Sequence, residues 1–248
     1  MTTHTPTAGA LPTHEAVMVQ ARDENFPVAL WLLGPRLRRH LLAIYGFARL
    51  VDDVGDEAPG DRLELLDQVE RELDHPEHPV MRTLAVTARE CRLGREPFLR
   101  LIEANRRDQV VSRYDSLDEL LDYCQLSAAP VGELVLRVFG VATPDRIALS
   151  DKICNALQII EHLQDVDEDR ARGREYLGPP ATPGHQPFAG PAQARFLLEE
   201  GAPLVRRLRG RARLAVAGFL AGGRLALDGL EGRPRRFATA YAKAVIGR

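Results

Sequence analysis

The 248-residue sequence contains only three cysteines, and their spacing limits the function classes that need to be considered. Cys91, Cys124 and Cys154 are odd in number and form no C-x-x-C pair. This pattern argues against a disulfide framework and against a structural zinc site. The expected compartment is therefore the cytoplasm.

A long hydrophobic run is also missing from the sequence. No segment approaches the ~20 consecutive apolar residues that a membrane-spanning helix requires. Residues 1–15 have neither the basic start nor the apolar core of a signal peptide, and we expect residues 1–20 to form a disordered tail. The protein is thus expected to be cytoplasmic, with at most a peripheral contact with a membrane.

The sequence carries no excess of charge of one sign. Its formal net charge is -2, from 33 basic and 35 acidic residues, so nucleic acid is not an expected partner. Arginine is locally dense in residues 206–213 (RRLRGRAR). There we expect it to solvate a helix face rather than to bind phosphate or an anionic membrane surface.

Apolar residues recur at helical spacing along most of the chain, whereas the alternation typical of strands is rare. Proline and glycine between these segments predict the helix ends. We therefore predict one all-helical domain over residues 21–248, with a loop at residues 178–191, where five prolines exclude a helix. The predicted helices cover residues 36–57, 61–74, 79–92, 96–112, 116–139, 144–171, 190–208, 211–230 and 234–246.

Two of the predicted helices carry a pair of aspartates at i and i+4, which places both carboxylates of a pair on one helix face. The first pair is Asp52 and Asp56, and the second is Asp165 and Asp169, with Glu161 one turn before it. A charged face exposed to water is the usual explanation of one such pair alone. Two pairs, each on a helix with a strongly apolar opposite face, are harder to explain in that way.

A calcium loop is a second interpretation of the acidic segment at residues 161–176. Its aspartates do alternate, as they do in an EF-hand. However, an EF-hand needs Gly at its sixth position and Glu at its twelfth, and this chain has Arg170 and Tyr176 there. The calcium interpretation is therefore excluded.

The third interpretation is a magnesium site for a diphosphate. Carboxylates on neighbouring helical turns can hold hard cations through single oxygens and leave other coordination positions for water and phosphate oxygens. Two facing pairs would neutralise a bound diphosphate and make it a good leaving group. An allylic carbocation would remain, and the apolar interior of a helical bundle would shelter it from uncontrolled attack by water.

The segments IYGFARLVDDVGDE (44–57) and LQIIEHLQDVDEDRARGREYL (157–177) resemble the two Asp-rich motifs of the squalene and phytoene synthase family. The resemblance covers roughly residues 20–230 and implies an isoprenoid-synthase helical bundle with a central cavity and Mg²⁺ as cofactor. The implied metal ligands are Asp52, Asp56, Glu161, Asp165 and Asp169. The implied catalytic and diphosphate-contacting side chains, beside those aspartates, are Tyr45, Arg49, Gln158, Arg174 and Tyr176.

Two further segments, ENFPVA (24–29) and YCQLSAAPVGELVL (123–136), extend the resemblance. They imply that Asn25, Phe26, Gln125 and Ala128 bind substrate. The small residues at 127–132 would leave room for a polyprenyl chain, or they mark close helix packing beside Pro130.

Within the family, these segments are most similar to the bacterial hydroxysqualene synthase branch of hopanoid biosynthesis. That branch converts presqualene diphosphate and water to hydroxysqualene and diphosphate. The sequence has no G-x-G-x-x-G motif, so hydride transfer from a dinucleotide has no visible support. The implied partners are presqualene diphosphate and, through functional coupling, other enzymes of the squalene pathway.

Two alternatives to this function stay open. One is the condensation of two prenyl diphosphates to presqualene diphosphate or phytoene, and the other is a catalytically silent homologue that binds lipids or partner enzymes. Three departures from the family pattern bear on the choice. Glu161 replaces an asparagine, Gln125 replaces a tyrosine common in condensing members, and the stretch after Tyr176 is shorter than usual.

Overall fold

The computed structural model describes residues 9–19, 33–177, 190–230, 232, 241, 244 and 245. In these ranges the regular structure is helical, apart from one isolated bridge between Arg113 and Glu175, so the predicted all-helical fold is confirmed. None of the helices in these ranges is long and apolar enough to cross a bilayer. The helices are α1 (His14–Val19), α2 (Pro35–Asp56), α3 (Arg62–Glu72), α4 (Pro79–Cys91), α5 (Glu96–Asp108), α6 (Leu117–Ser127), α7 (Ala129–Val138), α8 (Pro144–Gln164), α9 (Val166–Ala171), α10 (Pro191–Gly201), α11 (Pro203–Arg207) and α12 (Gly210–Leu230).

Proline marks the start of seven of these helices: α2, α4, α5, α7, α8, α10 and α11. Proline suits the first turn because the N–H groups there have no partner inside the helix. Polar side chains cap two others. Asp61 accepts hydrogen bonds from the backbone N–H groups at the start of α3, and Ser116 does the same for α6.

Three predicted helices are each divided into two. The predicted helix 116–139 is interrupted at Ala128, and the helix 190–208 at Ala202. In both cases a proline lies in the next turn and cannot donate the hydrogen bond that a continuous helix needs there. The predicted helix 144–171 is interrupted at Asp165, whose backbone leaves the helical region (φ -101°, ψ 15°). Most of the predicted helix 234–246 and residues 178–189 of the predicted loop lie outside the described residues.

The predicted disordered tail is wrong for residues 9–19. Helix α1 packs against α2, and Val17 is fully buried in the core beside it. The ring Nε2 of His78 donates a hydrogen bond to the carbonyl of Pro12 at 2.9 Å. One buried apolar side chain and one anchored carbonyl are enough to hold this short segment against the bundle.

The buried apolar side chains form two clusters, and α5, α7 and α12 contribute to both. The first cluster also includes side chains of α1, α2, α3 and α4, and the second includes those of α6, α8, α10 and α11. Helix α2 packs on α5 and α7, whereas α8 packs on α6 and α7. Helices α2 and α8 are thus held on opposite sides of a central group formed by α5, α6 and α7.

Close packing of α2 on α5 positions the acidic end of α2. The rings of Phe47 and Phe98 meet edge to face at 5.1 Å between centroids. At the penultimate position of α2, Gly55 lies so close to the Asn105 amide that an added Cβ would overlap it. The Gly55 carbonyl accepts hydrogen bonds from Gln109 at 3.0 Å and from Arg62 at 3.1 Å. These contacts therefore fix the positions of Asp52 and Asp56 relative to α5.

Candidate active site

A cavity of about 460 Å³ lies between the C-terminal half of α2 and the α8–α9 segment. Leu101 and Ala104 of α5 and Ser127 at the end of α6 line its inner part. The two acidic pairs predicted from the sequence both line this cavity, one pair carried by α2 and the other by the α8–α9 segment. Nine predicted site residues line the cavity: Arg49, Asp52, Asp56, Gln158, Glu161, Asp165, Asp169, Arg174 and Tyr176.

On the α2 side, Asp52 accepts a hydrogen bond from the Asn105 amide at 3.1 Å. Asp56, one turn later, is held by Arg174 through a 2.6 Å contact between Nη2 and Oδ1. Arg49 pairs with the buried Asp53 at 2.7 Å, which fixes its guanidinium beside the cavity wall. Asp56 is thus already neutralised by an arginine, while Asp52 has only a neutral amide donor.

On the opposite side, the break at Asp165 turns the chain between α8 and α9. Gln158 donates a hydrogen bond to Glu161 at 3.2 Å within α8. The buried His162 lies 3.6 Å from Asp169, measured from Nδ1 to Oδ2. The break therefore folds α9 back so that the second aspartate of this pair faces α8.

A short return segment carries Arg174 and Tyr176 into the cavity. Gly173 adopts a positive φ of 77°, a conformation that glycine reaches without steric cost. The next turn is fixed by hydrogen bonds from the Arg174 N–H to the Asp169 carbonyl at 2.8 Å and from the Glu175 N–H to the Ser112 carbonyl at 2.7 Å. Burial alone would lower the pKa of Arg174, but the hydrogen bond to Asp56 outweighs it and raises that pKa, so the guanidinium stays charged.

Asp108, at the end of α5, organises a group of aromatic rings on one wall. Its carboxylate accepts hydrogen bonds from Tyr123 at 2.6 Å and from Tyr176 at 3.2 Å. Tyr176 stacks on Tyr123 at 5.9 Å between centroids and contacts the His162 ring at 4.3 Å. Burial raises the pKa of Asp108, and the hydrogen bond from Tyr123 opposes that shift. With both oxygens engaged by phenols, Asp108 serves to hold the rings.

The cavity has a large excess of negative charge, since eight carboxylates and three guanidinium groups line it. The Asp52 side chain is exposed to the open cavity, where protein atoms of the cavity walls surround it. This confinement raises the pKa of Asp52 to about 7; the Asn105 hydrogen bond opposes the shift, and the charges of Asp56 and Glu161 increase it. Burial, with the nearby charge of Asp169, also raises the pKa of Asp165.

These carboxylates fit a hard divalent cation by their chemistry, because they offer only oxygen ligands and outnumber the guanidinium groups around them. Among the described residues, no three carboxylate, imidazole or thiol groups converge as a preformed cation site. Mg²⁺ usually takes only one or two carboxylates, together with water and substrate phosphates, so the residues present still suit it.

Three predicted site residues do not line the cavity. Gln125 lies two residues from both Tyr123 and Ser127 and is therefore on another side of α6. Its backbone carbonyl accepts a hydrogen bond from Arg100 at 3.3 Å. Ala128 occupies the break between α6 and α7. Tyr45 lies about two turns before Asp52, towards the middle of α2. Asn25 and Phe26 lie outside the described residues.

The small residues near Pro130 have separate roles in the structure. Ser127 lines the cavity, as room for a substrate chain would require. Gly132, in contrast, faces α8, where an added Cβ would lie 2.6 Å from Cys154 Sγ and closer still to Ser150 Oγ. At this position the small side chain serves close helix packing.

Sequence reasoning missed four residues that shape the site: Asn105, Asp108, Tyr123 and Arg172. Arg172 lies 3.7 Å from Asp56. Asn105 and Asp108 are three residues apart on α5, so a shared polar face near the end of this amphipathic helix was the available signal. That signal does not say which neighbouring helix the face meets.

The chain matches the family model described as squalene/phytoene synthase over residues 19–179. It is 39% identical over 168 residues to the hydroxysqualene synthase of Sinorhizobium fredii, covering 66% of this chain and 56% of that protein. It is 43% identical over 167 residues to the hydroxysqualene synthase of Rhodopseudomonas palustris, covering 63% and 55%. The chain thus spans a little over half the length of these curated relatives.

Among solved structures, the squalene synthase HpnC from Alicyclobacillus acidocaldarius superposes with a TM-score of 0.79 at 37% identity, covering 90% of this chain and 95% of that one. The fold is therefore the helical fold of the isoprenoid synthases. Together with the family match over more than half of the chain, this similarity leads to one conclusion. The chain belongs to the squalene/phytoene synthase family.

Proposed function

We propose that the protein is a hydroxysqualene synthase, which converts presqualene diphosphate and water to hydroxysqualene and diphosphate. The observation that carries this proposal is the single cavity in which the carboxylates of α2 face those of α8 and α9, with Arg174 between them. The similarity to relatives named hydroxysqualene synthase supports the choice of reaction within the family.

Asp52, Asp56, Glu161, Asp165 and Asp169 would hold Mg²⁺ in this cavity. When bound, Mg²⁺ supplies the positive charge that lets diphosphate bind among carboxylates and leave with the electrons of its C–O bond. Glu161 adds a charged oxygen donor to the α8 side of the site.

Arg174 and Arg49 would hold the diphosphate oxygens. Arg174 is a charged fork inside the cavity, and its present partner Asp56 is one of the carboxylates assigned to the metal. The two roles are compatible, because a carboxylate that ligates a cation no longer needs the guanidinium. Arg49 is held at the wall by Asp53 and needs little reorganisation to act.

The aromatic wall would contact the carbocation left by diphosphate departure. The rings of Tyr123, Tyr176 and His162 pack together on one side of the cavity. The faces of aromatic rings carry negative electrostatic potential and attract cations. Asp108 holds the phenol groups of both tyrosines, so the rings keep a fixed orientation while the cation rearranges.

Water would end the reaction by attacking the rearranged cation. Gln158 and the Tyr176 hydroxyl are polar groups at the cavity wall that can orient a water molecule. The released proton would pass to solvent or to the departing diphosphate. Contact with a membrane and transfer of the apolar product to other enzymes of squalene biosynthesis belong to the same proposal.

The experiment offers the purified protein, with Mg²⁺, either presqualene diphosphate or farnesyl diphosphate, and identifies products by mass. We expect an alcohol from presqualene diphosphate whose oxygen comes from ¹⁸O-labelled water, with or without NADPH, and we expect a chelator to abolish the reaction. Presqualene diphosphate formed from farnesyl diphosphate would instead identify a condensing enzyme. Absence of diphosphate release from both substrates would contradict any catalytic role.

A further inference from the structure

A second cavity, of about 590 Å³, lies at the opposite end of α2 from the acidic site. We call it the arginine cavity and define it by Gly34, Arg36, His40, Arg92 and Arg211, which are among its lining residues. Arg36 precedes Asp52 by 16 positions on one helix, which is about 24 Å at ~1.5 Å per residue. The arginine cavity is therefore separate from the proposed catalytic site.

Three guanidinium groups in this cavity have no partner in the described part of the chain. Arg36, Arg92 and Arg211 form no side-chain ion pair or hydrogen bond there, whereas another lining residue, Arg137, pairs with Glu133 at 2.7 Å. The sequence has slightly more acidic than basic residues, so a lack of carboxylates does not explain the unpaired arginines. The unpaired positive charge is therefore concentrated in the arginine cavity.

The position of two of these arginines is electrostatically unfavourable. Helix α2 begins at this cavity, and its N-cap Gly34 has no side chain to accept hydrogen bonds from the first N–H groups. The guanidinium of Arg211 lies against Gly34, since a Cβ built there would be 3.5 Å from Nη1. Arg36 is in the first turn. A cation beside a helix N-terminus opposes the helix dipole, which attracts anions at that end.

Arg92, His40 and the carboxylate of Glu90 also line the cavity. Arg92 follows the C-terminus of α4, where a cation is favourable, so its charge has a structural explanation that the other two lack. The buried His40 donates to or accepts from Thr87 through Nδ1, but its Nε2 makes no hydrogen bond within the described residues and lies 3.4 Å from Glu90. Glu90 itself is engaged by Arg39 at 2.7 Å.

We propose that the arginine cavity binds a phosphate-bearing anion. Guanidinium forks bind phosphate oxygens in pairs, and backbone N–H groups at a helix start bind them as well. A bound anion would relieve the repulsion among Arg36, Arg211 and the helix dipole. Arg211 belongs to residues 206–213, whose arginines were expected from the sequence to solvate a helix face, and for Arg211 this proposal replaces that expectation.

The phosphate group that binds the arginine cavity belongs either to a small soluble compound or to a lipid headgroup. Calorimetric titration with inorganic diphosphate, in chelator and at low ionic strength, tests the first source. Without a divalent cation the carboxylates of the acidic site repel diphosphate, so binding reports on the arginine cavity. Co-sedimentation with phosphatidylglycerol vesicles, against phosphatidylcholine vesicles, tests the second source.

The test variant is Arg36→Gln/Arg211→Gln, and the matched control is Arg71→Gln/Arg82→Gln, which removes equal charge at exposed sites outside the cavity. We expect the test variant to weaken binding of at least one probe on the order of tenfold, and the control to bind like wild type. Wild type that binds neither probe, equal loss in both variants, or loss only in Arg174→Gln would overturn the proposal. Turnover should be unchanged in the test variant, so this result is independent of the proposed function.

Discussion

A methyl group added at Gly132 should destabilise the protein, because α7 packs against α8 there without space for a side chain. The new Cβ would lie 2.6 Å from Cys154 Sγ and would overlap Ser150 Oγ. Both atoms belong to short side chains of α8, and Ser150 is buried, so relief requires a new rotamer or a shift of the helices. Overpacking of this kind costs roughly 1–3 kcal/mol.

Part of that cost is offset by the higher helix propensity of alanine, which contributes up to about 1 kcal/mol. With that full offset, the net loss in the free energy of unfolding should be about 0–2 kcal/mol. Gly222→Ala in α12 is the control, since a Cβ at Gly222 has no atom within 4 Å beyond its own helix backbone. The control should gain about 0.5–1 kcal/mol.

Urea unfolding followed by circular dichroism measures both variants, and diphosphate release measures their turnover. If the small residues at 127–132 served only to make room for a substrate chain, Gly132→Ala would keep its stability and lose turnover. That result would refute the packing argument. A loss of stability in Gly132→Ala that Ser150→Ala partly restores would support it, because this second change removes the nearest atom.

Three further predictions follow from individual side chains. Asp52→Asn and Asp169→Asn should each slow turnover on the order of 100-fold to 1000-fold, the loss of ~3–4 kcal/mol in the transition state. Asp52→Asn should not lower the free energy of unfolding, since it removes a confined charge and keeps the hydrogen-bond acceptor for Asn105. Near-normal turnover of these variants at saturating Mg²⁺ would refute the assignment of Asp52 and Asp169 as metal ligands. Asp108→Asn should slow turnover on the order of 10-fold to 100-fold, because it weakens a charge-assisted hydrogen bond of ~1.5–3 kcal/mol with Tyr123. In a Tyr123→Phe background the same change should have little further effect on turnover. Additive losses of turnover would mean that Asp108 does not act through Tyr123. Burial, and to a smaller extent the charge of Arg39, lowers the pKa of His40 in the folded protein. The unfolded chain therefore binds a proton at this histidine more readily than the folded protein does. As a result, stability should be lost as the pH falls below the ordinary histidine pKa of about 6.5. This part of the pH dependence should disappear in His40→Gln and persist in His75→Gln, and equal profiles for all three proteins would exclude the His40 contribution.

The sequence was most informative where one residue determines local structure. Prolines at helix starts and the i, i+4 spacing of the aspartates predicted the helices and the acidic faces, since both effects act within one or two turns. The interruptions at Ala128 and Ala202 also had a local signal in the following prolines. The interruption at Asp165 had only the weak helix propensity of aspartate, and the return of α9 depends on tertiary contacts.

The rest of the site could not be predicted because it depends on contacts between distant segments. Asp108 and Tyr176 are separated by 68 positions, and they meet only because the chain after Gly173 pairs with Ser112. Helical spacing predicts that α5 has a polar face but gives no information about its neighbour. Residue types also do not reveal which small side chains face a cavity, as the contrast between Ser127 and Gly132 shows.

Helix α2 connects the two proposed binding sites through its charge distribution. An α-helix favours anions at its N-terminus and cations at its C-terminus, by ~0.3–1 kcal/mol for each exposed charge. Helix α2 has the opposite pattern, with Arg36 and no acidic residue in its first turn, and with Asp53, Asp56 and no basic residue in its last. The first turn of α2 therefore has no residue of the negative charge, and its last turn no residue of the positive charge, that would interact favourably with the helix dipole. Within a fold of marginal stability, this inverted pattern is unfavourable unless opposite charge is supplied from elsewhere. At the C-terminal end, Arg174 already supplies part of it to Asp56, and a bound cation would add to it. At the N-terminal end, a bound anion would supply it to the arginines.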